Sequence, residues 1–298
     1  MSTDATLLTF RAMGTKVALI GPSDADPDTA HIAVDDARAV FDREEQRFSR
    51  FRPDSELSHV NAAAGREVDV SAGFASLLAR ALEGARRTRG LFDPTVLPAL
   101  VAAGYDRDFD EVIAGARGAL HPPVPCGRWR HVHLRGRRLR MPEGVALDLG
   151  GIAKGWTADL AAAAAVRAGL PWTLVNAGGD LRIQGDAPTI SVGVEDPGDP
   201  TSECTRFQLS SGALATSSIM ARSWGEGVHH VIDPRSGTPT DGNVVQATIW
   251  ARSCAEAEVL AKAAIVGGLT AIGEVPSAVV IRDGTLILRA RQIETVAA

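Results

Sequence analysis

The chain has 298 residues, 45% of them hydrophobic, and a formal net charge of -5. That length allows one large domain or two modest ones around a sizeable core. The acidic balance lacks any lysine or arginine block suited to a nucleic-acid groove, the cysteines Cys126, Cys204 and Cys254 are too dispersed for a disulfide framework or metal motif, and no apolar window is long enough to span a membrane.

The N-terminal stretch Met1–Leu8 carries Asp4 and no apolar core of signal length, so a cytoplasmic protein is expected. Leu7–Ile20 reads as two strands broken at Met13-Gly14-Thr15. Ala30–Phe48 repeats apolar side chains at helical spacing and predicts an amphipathic helix. Phe48-Ser49-Arg50-Phe51-Arg52-Pro53 leaves that helix, and Ser55–Val60 suggests a short one. Ser71 is placed to cap a helix whose buried face is Phe74, Leu77, Leu78, Ala81, Leu82 and Ala85, ending near Gly90. Leu91-Phe92-Asp93-Pro94-Thr95 then sets an acid in a proline turn. Tyr105 is either a ring over a cofactor or simple packing. Gly118–Arg128 reads as a surface connection, and Arg128–Arg140 as a strand pair with one wet face.

Leu147–Trp156, Leu-Asp-Leu-Gly-Gly-Ile-Ala-Lys-Gly-Trp, organises the rest of the chain. A short apolar run, two glycines and an alanine-rich segment from Thr157 to Val166 read as strand, turn and helix. Two readings stand: a backbone cradle for phosphate with Lys154 as its charge, or ordinary strand-to-helix packing. The pattern is neither a Walker A loop nor a Rossmann fingerprint. Pro171–Val175 is a strand candidate, followed by Asn176-Ala177-Gly178-Gly179-Asp180, which is either a functional turn or a plain hairpin. Thr189–Val194 and Arg206–Leu209 are expected strands about a polar turn, Glu195–Ser202. Ser210–Ser218 is rich in hydroxyls. His229–Gly237 is a second compact constellation, in which a zinc site would need ligands the sequence does not point to. Val244–Trp250 is a strand. Ser253-Cys254-Ala255-Glu256 has capping-box spacing before a helix to about Val266. Asp283-Gly284 reads as a hairpin turn. Strands and helices alternating without a regular βαβ period imply a mixed α+β architecture.

Six of these segments together resemble the ApbE family of FAD:protein FMN transferases. They are Met13-Gly14-Thr15, Phe48–Leu57, Gly90–Pro94, Asp148–Trp156, Asn176–Asp180 and His230–Gly237, in order across roughly residues 10–270. The resemblance implies an α+β flavin transferase domain over residues 7–290, with two closely integrated subdomains as an option. It implies transfer of FMN from FAD to a serine or threonine of an acceptor flavoprotein, with AMP leaving and Mg²⁺ assisting. A relative that binds or hydrolyses FAD without flavinylating protein is the alternative. By the family pattern Met13 and Thr15 lie near the flavin, and Asp148, Lys154, Asn176, Gly178, Gly179 and Asp180 belong to the nucleotide pocket. His230 lies by the flavin and the reacting phosphate, with His230 or Asp233 as base for the acceptor hydroxyl.

Two departures from the pattern stand out. The family's metal-binding acid and hydroxyl, four residues apart on a helix, correspond here to Glu258 and Lys262. An ammonium at that place either impairs the Mg²⁺ site or stands in for the cation, unless the two residues are a plain helical ion pair. Thr216–Arg222 lacks the acids and aromatic that relatives carry there.

Overall fold

The structure is a computed structural model, and it describes residues 4–115, 121–273, 277–282, 285–290 and 295–297. Its centre is an eight-stranded sheet, antiparallel throughout. The strands lie side by side in chain order: Asp4–Ala12, Thr15–Pro22, Trp172–Ala177, Asp180–Gly185, Gly212–Ser218, Val244–Ala251, Ser277–Arg282 and Thr285–Ala290. Long insertions between these strands carry the helices and much of the site.

The helices are α1 (Pro27–Phe48), α2 (Glu56–Ala62), α3 (Ala72–Arg87), α4 (Leu97–Ala102), α5 (Phe109–Ala114), α6 (Ala153–Arg167) and α7 (Cys254–Gly267). The Asp26 carboxylate accepts the Thr29 N–H and Pro27 occupies the first turn, so α1 starts three residues before the periodic pattern does. Ser71 and Ser253 cap α3 and α7 as their spacing predicts. No helix among the described residues is long and apolar enough to cross a membrane.

Alternation along the strands divides the core between the two faces of the sheet. Val175, Ala177 and Ala213 face α1 and α6, whereas Trp172, Leu174 and Leu214 face Phe207 and Leu209 of a second, three-stranded sheet. Helix α6 has alanine at seven of its 15 positions, and the missing bulk lets its neighbours approach closely. A Cβ on Gly155 would come within 2.6 Å of the Cys254 backbone at the start of α7.

Several expectations change in detail. Leu147–Leu149 is a buried loop, not a strand. The Asn61 side chain replaces a strand partner, accepting the Leu147 N–H at 2.8 Å and donating to the Leu147 carbonyl at 2.9 Å, while the Asp148 N–H donates to the Pro94 carbonyl. The polar turn expected over Glu195–Ser202 shrinks to Pro197-Gly198, because the strand Asp199–Leu209 continues through the polar residues. The hydroxyl-rich segment forms a central strand, Gly212–Ser218. The expected turn at Asp283-Gly284 lies outside the described residues.

Candidate active site

A cavity of about 540 Å³ opens where the hairpin tips, the start of α6 and one side of α7 meet. Its size is that of a small-molecule or cofactor site. Of the residues singled out from the sequence, Met13, Thr15, Asp148, Lys154, Gly178, Asp180, His230 and Lys262 all line it. Asn176, Gly179, Asp233 and Glu258 do not.

Two hairpin tips form one wall. Met13-Gly14 and Gly178-Gly179 are two-residue turns with φ positive at every position, 51° and 68° in the first and 65° and 93° in the second. This is the turn that suits the twist of adjacent antiparallel strands. The second turn is therefore both a plain hairpin and part of the cavity. A Cβ at Gly178 would run into Thr15 Oγ1, so glycine is required where the tips abut. Asn176 accepts the Gly179 N–H and shapes the turn from outside the wall.

A second wall combines cations and rings. Arg50 Nε lies 2.8 Å from Asp148 Oδ2, and its guanidinium stacks 4.1 Å from the Phe51 ring and 4.4 Å from that of Tyr105. Arg222 donates to the Tyr105 hydroxyl at 2.8 Å. Tyr105 thus packs as part of the cavity wall. Arg50 and Arg222 were not among the expected site residues, and Tyr105 stood open between a cofactor contact and packing. The Ser49-Arg50-Phe51 motif was a signal for the first, but the meeting of positions 50, 105 and 222 is purely tertiary.

The third wall holds the charges that the Leu147–Trp156 stretch foreshadows. Several N–H groups of this turn are engaged within the chain. The N–H groups of Ile152 and Ala153 donate to the Leu149 carbonyl, and that of Gly150 to Asp148. The anion at the start of α6 is the chain's own Glu258. Its Oε2 accepts the Gly155 N–H at 2.9 Å and its Oε1 accepts from Lys154 Nζ at 2.6 Å. Lys154 also lies 2.5 Å from Asp180 Oδ2, and Lys262 Nζ lies 3.3 Å from Glu258 Oε1. Two ammonium groups therefore share two buried carboxylates. Burial opposes the Lys154 charge, but Asp180 and Glu258 outweigh it and raise its pKa. Burial and the neighbouring Glu258 push Asp180 up to about 6 despite Lys154. Burial likewise works against the Glu258 carboxylate, and Lys154 and Lys262 reverse the balance and lower its pKa.

Glu258 and Lys262 occupy the positions expected to hold Mg²⁺, and the donor set does not fit that ion. Magnesium asks for near-octahedral oxygen ligands. Three of the four carboxylate oxygens here already bond to nitrogen, which leaves Asp180 Oδ1 without a partner. Among the described residues, no group of three histidine, cysteine, aspartate or glutamate side chains is placed to hold a metal.

His230 closes the cavity. Its Nδ1 lies 3.3 Å from the Arg222 carbonyl, so the tautomer assigned by that contact carries its proton on Nδ1 and leaves Nε2 as acceptor. Burial, with Lys262 and Arg222 nearby, holds its pKa well below the ordinary 6.5. Asp233 is placed differently. Arg235 clamps both its oxygens, at 2.9 Å from Nε to Oδ1 and 2.6 Å from Nη2 to Oδ2, which ties it to its own turn. His229 is also structural, contacting the Thr240 carbonyl and accepting the Val231 N–H. The buried atoms Arg50 Nη2, Asp93 Oδ2 and Asp180 Oδ1 lack hydrogen-bond partners, and all three belong to lining residues. Such a concentration of unsatisfied polar groups suits a polar ligand.

Comparison with known proteins matches this arrangement to one family. The model of the ApbE family matches residues 13–277. An FAD:protein FMN transferase from Treponema pallidum is 30% identical over 262 residues, 80% of this chain and 72% of its own length. One from Rhodobacter capsulatus is 32% identical over 223 residues, 72% of this chain and 42% of its own. Among solved structures, the ApbE protein of Thermotoga maritima superposes with a TM-score of 0.80 at 25% identity, covering 96% of each chain. The flavin transferase ApbE of Vibrio cholerae shares the fold, with a TM-score of 0.76 at 23% identity over 97% of each chain. With its motifs gathered on one cavity and a match over most of its length, this chain belongs to the ApbE family.

Proposed function

We propose that the protein is a transferase that moves FMN from FAD to a serine or threonine hydroxyl of an acceptor flavoprotein and releases AMP. One observation carries the reading: segments as distant as Met13–Thr15, Asp148–Lys154, Gly178–Asp180 and His230–Pro234 contribute to a single cavity. The aromatic and guanidinium wall suits stacking of a ring system, and the ammonium wall suits a diphosphate.

In this reading the acceptor oxygen attacks the FMN-side phosphorus. A new P–O bond forms, the bond to the AMP phosphate breaks, and the hydroxyl proton passes to His230 Nε2. His230 is suited to receive it because its surroundings keep the imidazole neutral. Asp233, held by Arg235, orders the loop that presents His230. The carboxylates at the position implied for Mg²⁺ are already paired with ammonium groups. The three free thiols, Cys126, Cys204 and Cys254, are in keeping with a reducing, cytoplasmic setting.

Hydrolysis of FAD to FMN and AMP, with water replacing the hydroxyl, is the second reading. It is favoured by the rim segment at Met220, which is 59% exposed and offers an acceptor neither acid nor aromatic ring. Incubation with FAD and a flavoprotein acceptor, followed by intact mass and AMP release, separates the two. An acceptor mass gain of one FMN ester supports transfer, AMP without labelling supports hydrolysis, and intact FAD throughout overturns both. His230→Gln with saturating acceptor should lose at least about ten-fold in turnover. Unchanged turnover removes His230 as the base.

A further inference from the structure

The carboxylates beside the cavity are held by nitrogen. Lys154 and Lys262 both approach Glu258 Oε1, at 2.6 and 3.3 Å, and the Gly155 N–H holds Oε2. A divalent ion entering here must displace an ammonium from a buried carboxylate or sit beside one. Both are costly in a site sheltered from water.

Lys262 is also fixed in place. Its stem crosses the turn before α6, so close that a Cβ on Gly151 would lie 3.0 Å from its Cδ and 3.1 Å from its Cε. Its side chain is 19% exposed and lines the cavity, whereas Glu258 is fully buried beneath it. Lys154 already neutralises Asp180 and shares Glu258. The second ammonium is therefore the one with charge to offer a ligand. Arg222 lines the same cavity, and both cations act on His230.

We propose that Lys262 is a tethered cation that binds the diphosphate of the ligand directly, so that nucleotide binding in this chain needs no divalent metal. This rests on the reading above that the ligand carries a diphosphate. The ammonium donates hydrogen bonds to a non-bridging phosphate oxygen and keeps Glu258 as its counter-ion at the rear. The lysine thereby links the phosphate to the Glu258 carboxylate.

The test is calorimetric titration of the full chain with ADP and with adenosine, in EDTA and then with added Mg²⁺. ADP should bind the wild type in EDTA, and Mg²⁺ should change its affinity less than about three-fold. Lys262→Met keeps the stem and removes the charge. It should weaken ADP about ten-fold or more and leave adenosine unchanged, as expected for loss of one charged hydrogen bond. Lys262→Arg, which restores a cation, should recover most of that loss, and thermal melts of both variants establish that they fold. ADP binding that requires Mg²⁺, absent ADP binding, or equal ADP affinity in wild type and Lys262→Met overturns the proposal. Because the contrast is between ADP and adenosine, it reads Lys262 even if no FMN reaches an acceptor. Failure of flavin transfer would leave a positive result here standing.

Discussion

Lys154 Nζ lies 2.5 Å from Asp180 Oδ2, joining the first turn of α6 to the tip of the hairpin at Gly178-Gly179. The lysine side chain is 17% exposed and the aspartate 2%, so the pair is largely removed from water, with Glu258 as its third member. Lys154→Met removes the ammonium shared by the two buried carboxylates and leaves Lys262 against Glu258. The expected cost is about 3–5 kcal/mol, measured by urea unfolding. Adding Asp180→Asn should recover part of it, because the repulsion then has one member fewer. A loss below about 1 kcal/mol would mean that the cluster relaxes into water.

Gly155→Ala should destabilise the fold even though alanine is the better helix former by about 1 kcal/mol. The new Cβ would stand 2.6 Å from the carbonyl of Cys254 and 2.9 Å from the Ala255 nitrogen, both rigid backbone. Separating α6 from α7 would also lengthen the bond from the Gly155 N–H to Glu258. A net loss of about 1–3 kcal/mol in denaturant unfolding is expected, and a stabilised variant would contradict the close approach.

If His230 is the base, its environment sets the acid limit of turnover. Burial first, then the charges of Lys262 and Arg222, with His229 beside it, keep its pKa well below 6.5. The rate should stay level as pH falls from neutrality through 6.5 and decline only at more acid values. Lys262→Met removes one repelling cation and should move that decline to higher pH. Stability follows the same sign. Below about 6.5 the unfolded chain takes up a proton that folded His230 refuses, so His230 lowers stability progressively as pH drops. A rate decline centred at 6.5 would show that another group controls the acid side.

Lys262→Thr frees one oxygen of Glu258 from its second ammonium and supplies a hydroxyl one helical turn away. ADP binding by this variant should become dependent on Mg²⁺, with affinity rising about ten-fold or more when the ion is added. Calorimetry with and without EDTA reads the change. No gain with Mg²⁺ would show that Lys154 alone suffices to keep the ion out.

The thiols should be slow nucleophiles. Burial, helped by Asp93 and Asp233, pushes Cys126 from 9.0 up to about 11. Burial also raises Cys204, and it holds Cys254 well above the ordinary thiol value. At mildly alkaline pH the thiolate fraction of Cys126 falls about a hundred-fold, and iodoacetamide labelling should lag behind free cysteine accordingly. Peptide mass spectrometry follows each site separately.

Helices with an apolar stripe and a serine cap were legible from the sequence. Ser71 and Ser253 start α3 and α7 where their spacing places them. The hairpin at Met13-Gly14 was legible for the same reason, since turn chemistry is local. Leu147–Leu149 misled because a short apolar run fits any buried segment, and the side chain of Asn61 satisfies the backbone groups a strand would have paired. Lys154, singled out from its glycine-rich turn, lines the cavity, and its contact with a carboxylate of α7 was not legible. Its carboxylate lies 104 residues later, and no periodicity connects the two. The assembly of the cation and ring wall was not legible for the same reason: Arg50, Tyr105 and Arg222 meet only once the sheet has brought three insertions together.

The amide of Asn61 is a single fastening on which one cavity wall depends. It donates to one backbone group of Leu147 and accepts from the other, and so fastens the loop that presents Asp148 to Arg50. Deamidation would exchange its NH₂ for an oxygen and set a negative charge against the Leu147 carbonyl. The damage would then reach a cavity wall through a residue that does not itself line the cavity.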